Sequence, residues 1–366
     1  MAGNLWVLVA LRGAQGLGAA IMMALTVAAV GDMVPKERTG SAMGLLGTVS
    51  AVGTALGPSL GGFLVSWFNW PAVFVFMAGA GGLAFLFGRR VFPTDVRAER
   101  KLVTFDHPGM LLLALSLGGL ALLATQGSRF ATLIDGILAG VVLAGLLAFV
   151  AVEARVSHPL VQLALLRDRV LRAGLIAMAL VSTIMMATLV VGPFYLTGVL
   201  GFNPVTTGLV MSVGPVISAL TGIPAGRLVD RFGTDTATLA GLAGVIAGSA
   251  LMLLLPAAVG VGGYICSLAL ITSGYALFQA ANTTAIMKGA TSSHRGVTSA
   301  LLGLSRNIGL IAGASAMGAV FALGAGGLAG LQLTFAVATG LALIAVGATL
   351  FGRGTRNRPR CPSPHG

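Results

Sequence analysis

Four polar or glycine-rich stretches interrupt a chain that is otherwise almost wholly apolar. At Arg12-Gly-Ala-Gln-Gly-Leu-Gly18 a guanidinium lies well inside an apolar run, and Gln15 follows three residues on, on the same helical face. An arginine at the centre of a membrane helix costs about 2.5–3.5 kcal/mol on insertion scales, so Arg12 is expected to face a polar cavity or partner. Snorkelling to the surface from a helix end is the alternative. At Gly226-Arg-Leu-Val-Asp-Arg-Phe-Gly233, Asp230 and Arg231 sit in a short loop before the next apolar run. An acid there offsets the positive end of a helix dipole, and an arginine can pair across the membrane face. A solvated turn is the plainer reading. Gln279, Asn282, Arg306 and Asn307 are polar residues within apolar runs. Two readings stand for them: lining of a central cavity, or hydrogen bonds that glue helices together.

The fourth stretch, Gly53-Thr-Ala-Leu-Gly-Pro-Ser-Leu-Gly-Gly62, is built from helix breakers inside a long apolar run. Gly53, Gly57 and Gly61 recur every four residues and form one smooth stripe, which lets another helix approach closely. Pro58 removes a backbone donor and bends the span, and Gly62 extends the small surface. A generic packing groove is the alternative.

Other chemistry is missing. Every Asp and Glu falls in a loop or at the end of an apolar run, and His107, His158, His294 and His365 are all peripheral. Proton relays in pumps use intramembrane Asp, Glu or His, so nothing plain in this chain carries a proton. There is no phosphate loop, metal-ligand cluster or nucleophile–base pair, so neither an enzyme nor a metal or organic cofactor is expected. Cys266 and Cys361 read as two unpaired thiols.

The elements that must position these residues follow from composition. The chain has 366 residues, 56% hydrophobic and 9% charged, with a mean hydropathy of +0.97. A soluble domain carries about 25% charged residues. Uncharged windows of about 20 residues, the length that crosses a bilayer, recur throughout. This composition defines an all-α polytopic membrane protein. Apolar helices are predicted at about 4–31, 40–66, 71–88, 108–126, 133–152, 172–198, 204–222, 236–255, 258–281, 297–322 and 330–352, eleven in all. Asn69-Trp-Pro71 and Phe202-Asn-Pro204 mark tight turns, and Asp106-His-Pro-Gly109 marks a helix start.

The net charge of +12 is topological. Apart from Arg12, Arg129 and Arg306, every Lys and Arg falls in alternate loops or the C-terminal tail. By the positive-inside rule those loops and the C-terminus are cytoplasmic, which puts Met1 outside and argues against nucleic-acid binding. Methionines Met22, Met23, Met178, Met185 and Met186 offer either an adaptable surface for varied ligands or ordinary packing. A weak parallel repeat relates the segment leading from Gly18 into Arg38-Thr-Gly-Ser-Ala-Met-Gly44 to that leading from Gly274 into Arg295-Gly-Val-Thr-Ser-Ala300. Paired bundles of this kind are a transporter architecture.

These motifs also carry a family resemblance over essentially the whole chain. Arg12, Gln15, Gly16 and Gly18 resemble motif B of the major facilitator superfamily, and Gly53, Gly57, Pro58, Gly61 and Gly62 resemble its motif C, the antiporter motif. Gly226, Asp230, Arg231 and Gly233 resemble the second-half copy of motif A. Together they look like the fourteen-helix drug:proton antiporters of the EmrB/QacA type. The resemblance implies a multidrug exporter in a bacterial inner membrane. It would exchange small amphipathic or cationic substrates for protons by alternating access, with the proton as coupling ion and the Asp230 region locking an outward-open state. It also implies that motif C is a bent helix between two bundles, limiting leakage.

The chain departs from that pattern at one end. Its first helix matches the family's fourth, so three helices, the first motif A and the acid of helix one have no counterpart here. Residues 1–88 then correspond to family helices four to six, 89–155 to a cytoplasmic linker with an inserted helix pair, 156–352 to a C-terminal six-helix bundle, and 353–366 to a basic disordered tail. The resemblance therefore leaves three outcomes open: an exporter, a remnant or late-started piece that does not catalyse coupled efflux, and a facilitator of another solute.

Overall fold

The computed structural model describes residues 5–91, 106–126, 133–156, 165–291 and 294–353. The predicted tail and most of the linker lie outside the described residues. The eleven predicted helices are present: α1 Leu5–Met33, α2 Thr39–Phe68, α3 Pro71–Val91, α4 His107–Gln126, α5 Leu133–Glu153, α6 Arg169–Gly198, α7 Pro204–Phe232, α8 Thr234–Val259, α9 Val261–Gly289, α10 Arg295–Leu323 and α11 Gly327–Arg353. Among the described residues, nine helical stretches are long and apolar enough to cross a membrane. In hydrocarbon a helix is the simplest way to satisfy every backbone N–H and C=O, which is why so apolar a chain folds this way.

Several helices run past their predicted ends. α7 extends to Phe232, so Asp230 and Arg231 lie in its last turn rather than in a loop. Arginine is a good helix former, and a cation near the C-terminus is favoured by the helix dipole. The starts are set by short polar caps. Asp168 accepts from Val170 N at 2.8 Å at the head of α6, and Asn203 accepts from Thr206 N at 2.8 Å at the head of α7, with Pro204 in the first turn. At the head of α4, Asp106 accepts from Gly109 N at 2.9 Å. Each carbonyl or carboxylate oxygen satisfies an amide that the helix itself cannot.

Helices α6 to α11 hold the core. Val181 and Ile184 of α6, Leu242, Val245 and Met252 of α8, Ile271 and Phe278 of α9, and Phe335, Ala338 and Ala342 of α11 are fully buried in one cluster. Tyr195 stacks on Tyr264 with ring centroids 5.8 Å apart, and its hydroxyl donates to the Pro256 carbonyl at 3.2 Å. The helix α10 is pinned to α6 by Thr183 Oγ1 donating to Gly309 O at 3.0 Å and Ser305 Oγ donating to Leu175 O at 2.5 Å. The helices α1, α2 and α3 are placed differently. α2 crosses α7, α1 leans on α10, where Ser299 Oγ donates to Ala24 O at 2.8 Å, and α3 rests on α2. The α4–α5 hairpin touches α10 through α4. The membrane-length stretches of α1 and α3 bury nothing inside the fold, and their Leu, Val and Phe side chains face outward.

Candidate functional site: adjoining cavities and the α2–α7 crossing

The site begins with a close crossing. Gly40 and Gly44 of α2 meet Gly222 and Gly226 of α7, so the two backbones touch without side chains between them. A methyl group added at Gly226 would lie 2.5 Å from the Gly40 carbonyl oxygen and 2.8 Å from the Ser41 Cα, too close for any real side chain. One turn further along α7, Asp230 reaches the first turn of α2. Its carboxylate accepts from Gly40 N at 2.8 Å, Ser41 N at 2.8 Å and Ser41 Oγ at 2.5 Å. A negative charge at the amino end of a helix is favoured by the dipole, and hydrogen bonds to an ionised acceptor are the strong ones. Asp230 therefore sits at the positive end of a helix dipole, but not where the sequence reading placed it. The helix, however, is α2, some 190 residues away, not the one that follows in the chain.

The rest of that motif is placed around the same contact. Gly226 makes the crossing, and Gly233 links α7 to α8 with φ +83° and ψ 161°, a region open in practice only to glycine. Arg231 is exposed and lies over the Phe232 ring, 5.3 Å from its centroid.

Next to this crossing, between α1 and α2 on one side and α6, α7, α9 and α10 on the other, lie three adjoining cavities. Gln279 of α9 and Arg306 of α10 line all three. The largest, about 440 Å³, falls in the ~300–1,000 Å³ range that holds a small organic ligand. Asn307 joins the wall of the third. Asn282 does not line any of these three cavities. It is buried, and its Nδ2 donates to the Gly174 carbonyl at 3.0 Å, tying α9 to α6. Of its two readings, Asn282 takes the interhelical one. Met22, Met23, Met178 and Met185 line the cavities; Met186 does not.

Thr272, Tyr275 and Ser218 also line the cavity wall and were not singled out from the sequence. A signal for two of them was present: Thr272, Tyr275, Gln279 and Thr283 recur at three- and four-residue steps and so share one face of α9.

In motif B, Arg12 donates to Gln15 Oε1 at 3.0 Å and lies over the Phe74 ring of α3, 4.7 Å from its centroid. Gln15 Nε2 in turn donates to Met77 Sδ at 3.3 Å. These contacts join α1 to α3, while Gly16 and Gly18 face open space. The motif C glycines lie in the second half of α2, past the crossing. Gly53 faces open space; the surroundings of Gly57, Pro58, Gly61 and Gly62 lie outside the described side chains.

Eleven apolar helices, six of which line adjoining cavities beside a close helix crossing, define a polytopic membrane protein. The family model for the Major Facilitator Superfamily matches residues 1–314, and the chain belongs to that superfamily, a family of transporters rather than enzymes. It is 29% identical over 332 residues to the riboflavin transporter RibZ of Clostridioides difficile, covering 88% of this chain and 70% of the relative. It is 30% identical over 328 residues to the multidrug resistance protein Stp of Mycobacterium tuberculosis, covering 88% of this chain and 60% of the relative. The chain thus spans 70% and 60% of the length of these two relatives. Among solved structures, the human organic anion transporter MFSD10 superposes with a TM-score of 0.61 at 17% identity, over 89% of this chain and 67% of that one, a likeness of fold.

Proposed function

We propose that this chain forms the substrate cavity and one gate of an exporter for small amphipathic compounds, exchanging them for protons by alternating access, and that it belongs among the fourteen-helix drug:proton antiporters. In that assignment α1 to α3 correspond to family helices four to six, α4 and α5 to the inserted pair, and α6 to α11 to the C-terminal bundle. The lysine- and arginine-rich loops and the C-terminus face the cytoplasm.

The observation that carries this reading is the Asp230 contact beside the cavity. Gly44 and Gly222 of the α2–α7 crossing line the largest of the three cavities, and in this reading the crossing closes it at the end flanked by Arg38, Arg227 and Arg231, which the positive-inside rule makes cytoplasmic. A conformation closed there is the outward-facing one. Opening requires α2 and α7 to part, which breaks three hydrogen bonds to one carboxylate and separates two glycine surfaces. Such a contact is made or lost as a unit, so it suits a two-state gate. The names of the relatives, a riboflavin transporter and a multidrug resistance protein, support small organic cargo.

The reading is tested by expressing the chain in cells stripped of their own exporters and following accumulation of riboflavin and of an amphipathic dye. Lower accumulation that a protonophore abolishes supports exchange for protons. Accumulation equal to the empty vector, with the protein present in the membrane, contradicts it. A second reading, in which the chain binds cargo without exporting it, is favoured by one observation: no Asp, Glu or His among the described side chains lines the cavities. Ligand binding by the purified protein together with absent export would select that reading.

A further inference from the structure

The two arginines within membrane spans are in opposite situations. Arg12 has a glutamine oxygen and an aromatic face. Arg306 has neither. It is the twelfth residue of α10, roughly 17 Å from the start of that helix at 1.5 Å per residue, and so near mid-membrane depth. Its Nε is buried and makes no hydrogen bond. Among the described residues the polar side chains that line the cavities with it are all neutral, Gln279, Thr272, Tyr275 and Ser218 among them in one cavity, Thr283 and Asn307 among them in another. Such groups share hydrogen bonds with a guanidinium but leave its charge uncompensated. A cation held in a low-dielectric cavity without a counter-ion is costly, and intramembrane charges that persist are paired or functional.

From this we infer that Arg306 is an anion-recognition group, and that the compounds bound here carry a carboxylate, sulfonate or phenolate on an apolar or aromatic body. The guanidinium offers several donors in a fixed plane, which matches a carboxylate two oxygens at a time. The rest of the wall suits the apolar body: Met22, Met23, Met43, Met185 and Met211 provide flexible, polarisable surface that accepts varied ring systems. A permanently cationic compound would instead meet like charge, with no acid among the described cavity side chains to offset it. The inference deepens the exporter reading by naming its cargo's charge, and it rests on that reading only for what the cavity is used for. An anionic lipid headgroup has the same chemistry as an anionic solute, so both sources enter the test.

The probes are fluorescein, an anion, and rhodamine 6G, a cation, which share a xanthene body. Binding to the purified full chain is followed by fluorescence anisotropy in nanodiscs of phosphatidylcholine, then in nanodiscs containing phosphatidylglycerol. The wild type is expected to prefer fluorescein. R306Q is expected to weaken fluorescein roughly tenfold to a hundredfold, the range for one charged hydrogen-bond pair, and to leave rhodamine 6G unchanged or tighter. R306K, which keeps the charge, is expected to retain most of the preference. If phosphatidylglycerol competes fluorescein away from the wild type but leaves the residual fluorescein binding of R306Q unchanged, the lipid is the occupant and the anion site stands. A wild type that prefers rhodamine 6G, or an R306Q variant with intact circular dichroism whose fluorescein affinity stays within about twofold, overturns the inference. Should R306Q fail to fold, the wild-type preference between the two dyes decides. None of these readouts needs export, so a failed efflux assay leaves them standing.

Discussion

Asp230→Asn is the sharpest perturbation of the gate, because it keeps the shape of the side chain and removes only its charge. The carboxylate accepts three hydrogen bonds from the first turn of α2, two from backbone amides and one from a hydroxyl. An amide retains one accepting oxygen and turns an NH2 toward the remaining donors. A hydrogen bond to an ionised group contributes about 1.5–3 kcal/mol and a neutral one about 0.5–1.5 kcal/mol. Loss of the dipole interaction adds about 0.3–1 kcal/mol. With partial rearrangement the closed contact should weaken by about 2–4 kcal/mol, a factor of roughly 30 to 1,000 in the closed-to-open ratio. A gate closed about 99 times in 100 would then be open roughly a quarter to nine tenths of the time. Spin labels at Arg38→Cys and Phe232→Cys, in a background with Cys266→Ser and Cys361→Ser, report the separation of α2 and α7 by pulsed dipolar spectroscopy. Both labelled positions are exposed. The wild type should give a short-distance population that largely moves to longer distances in the Asn variant. Ser41→Ala, which removes only the hydroxyl, should shift it less. An Asp230→Asn distribution indistinguishable from wild type would refute the idea that this carboxylate holds the end shut.

Three further substitutions separate gate from scaffold. Gly226→Ala places a methyl against the Gly40 carbonyl and should open the same labelled end while leaving the α6–α11 core folded, as read by spin-label distance and thermal melting in detergent. Gly233→Ala forces φ +83° on a residue with a Cβ and should cost about 1–3 kcal/mol of stability, seen as a lower melting temperature with no specific effect on the gate. Asn282→Ala removes the α9–α6 hydrogen bond and should lower the melting temperature by an amount corresponding to about 1 kcal/mol, with ligand binding at the neighbouring cavity retained; a selective loss of binding would return Asn282 to the cavity.

The number and order of helices were legible in the sequence because apolar runs, Pro and Asn at turns, and alternate basic loops all mark the same boundaries. The helix ends were less legible. Charges read as loop residues can lie in a last helical turn: Arg231 is favoured there by the dipole, and Asp230 is held there by the first turn of α2. The partners of each helix were hidden. With 54 glycines in the chain, many stripes look smooth, and only the three-dimensional crossing selects Gly40, Gly44, Gly222 and Gly226 as a backbone-to-backbone contact. Among the polar residues in spans, sequence identified Gln279, Asn282, Arg306 and Asn307 but left their direction open. A rotation of about 100° per residue sends Asn282 to α6 while Gln279 faces the cavity. Helix-face phasing alone does not separate them, because Asn282 lies three residues from Gln279 and only about 20° from Tyr275 around the helix; the Gly174 carbonyl that it meets does.

The central claim is that the cavity at Arg306 opens to one side of the membrane at a time and that the Asp230 end is the closed one here. It is tested most directly by the accessibility of a single cysteine placed at Ser218, in the cavity wall, with Cys266 and Cys361 replaced. A membrane-impermeant maleimide is added to right-side-out and inverted vesicles. The account predicts labelling from the outer face and little from the cytoplasmic face in the wild-type background, with cytoplasmic labelling rising sharply when Asp230 is Asn. Equal labelling from both faces, or labelling that ignores the state of Asp230, would contradict it.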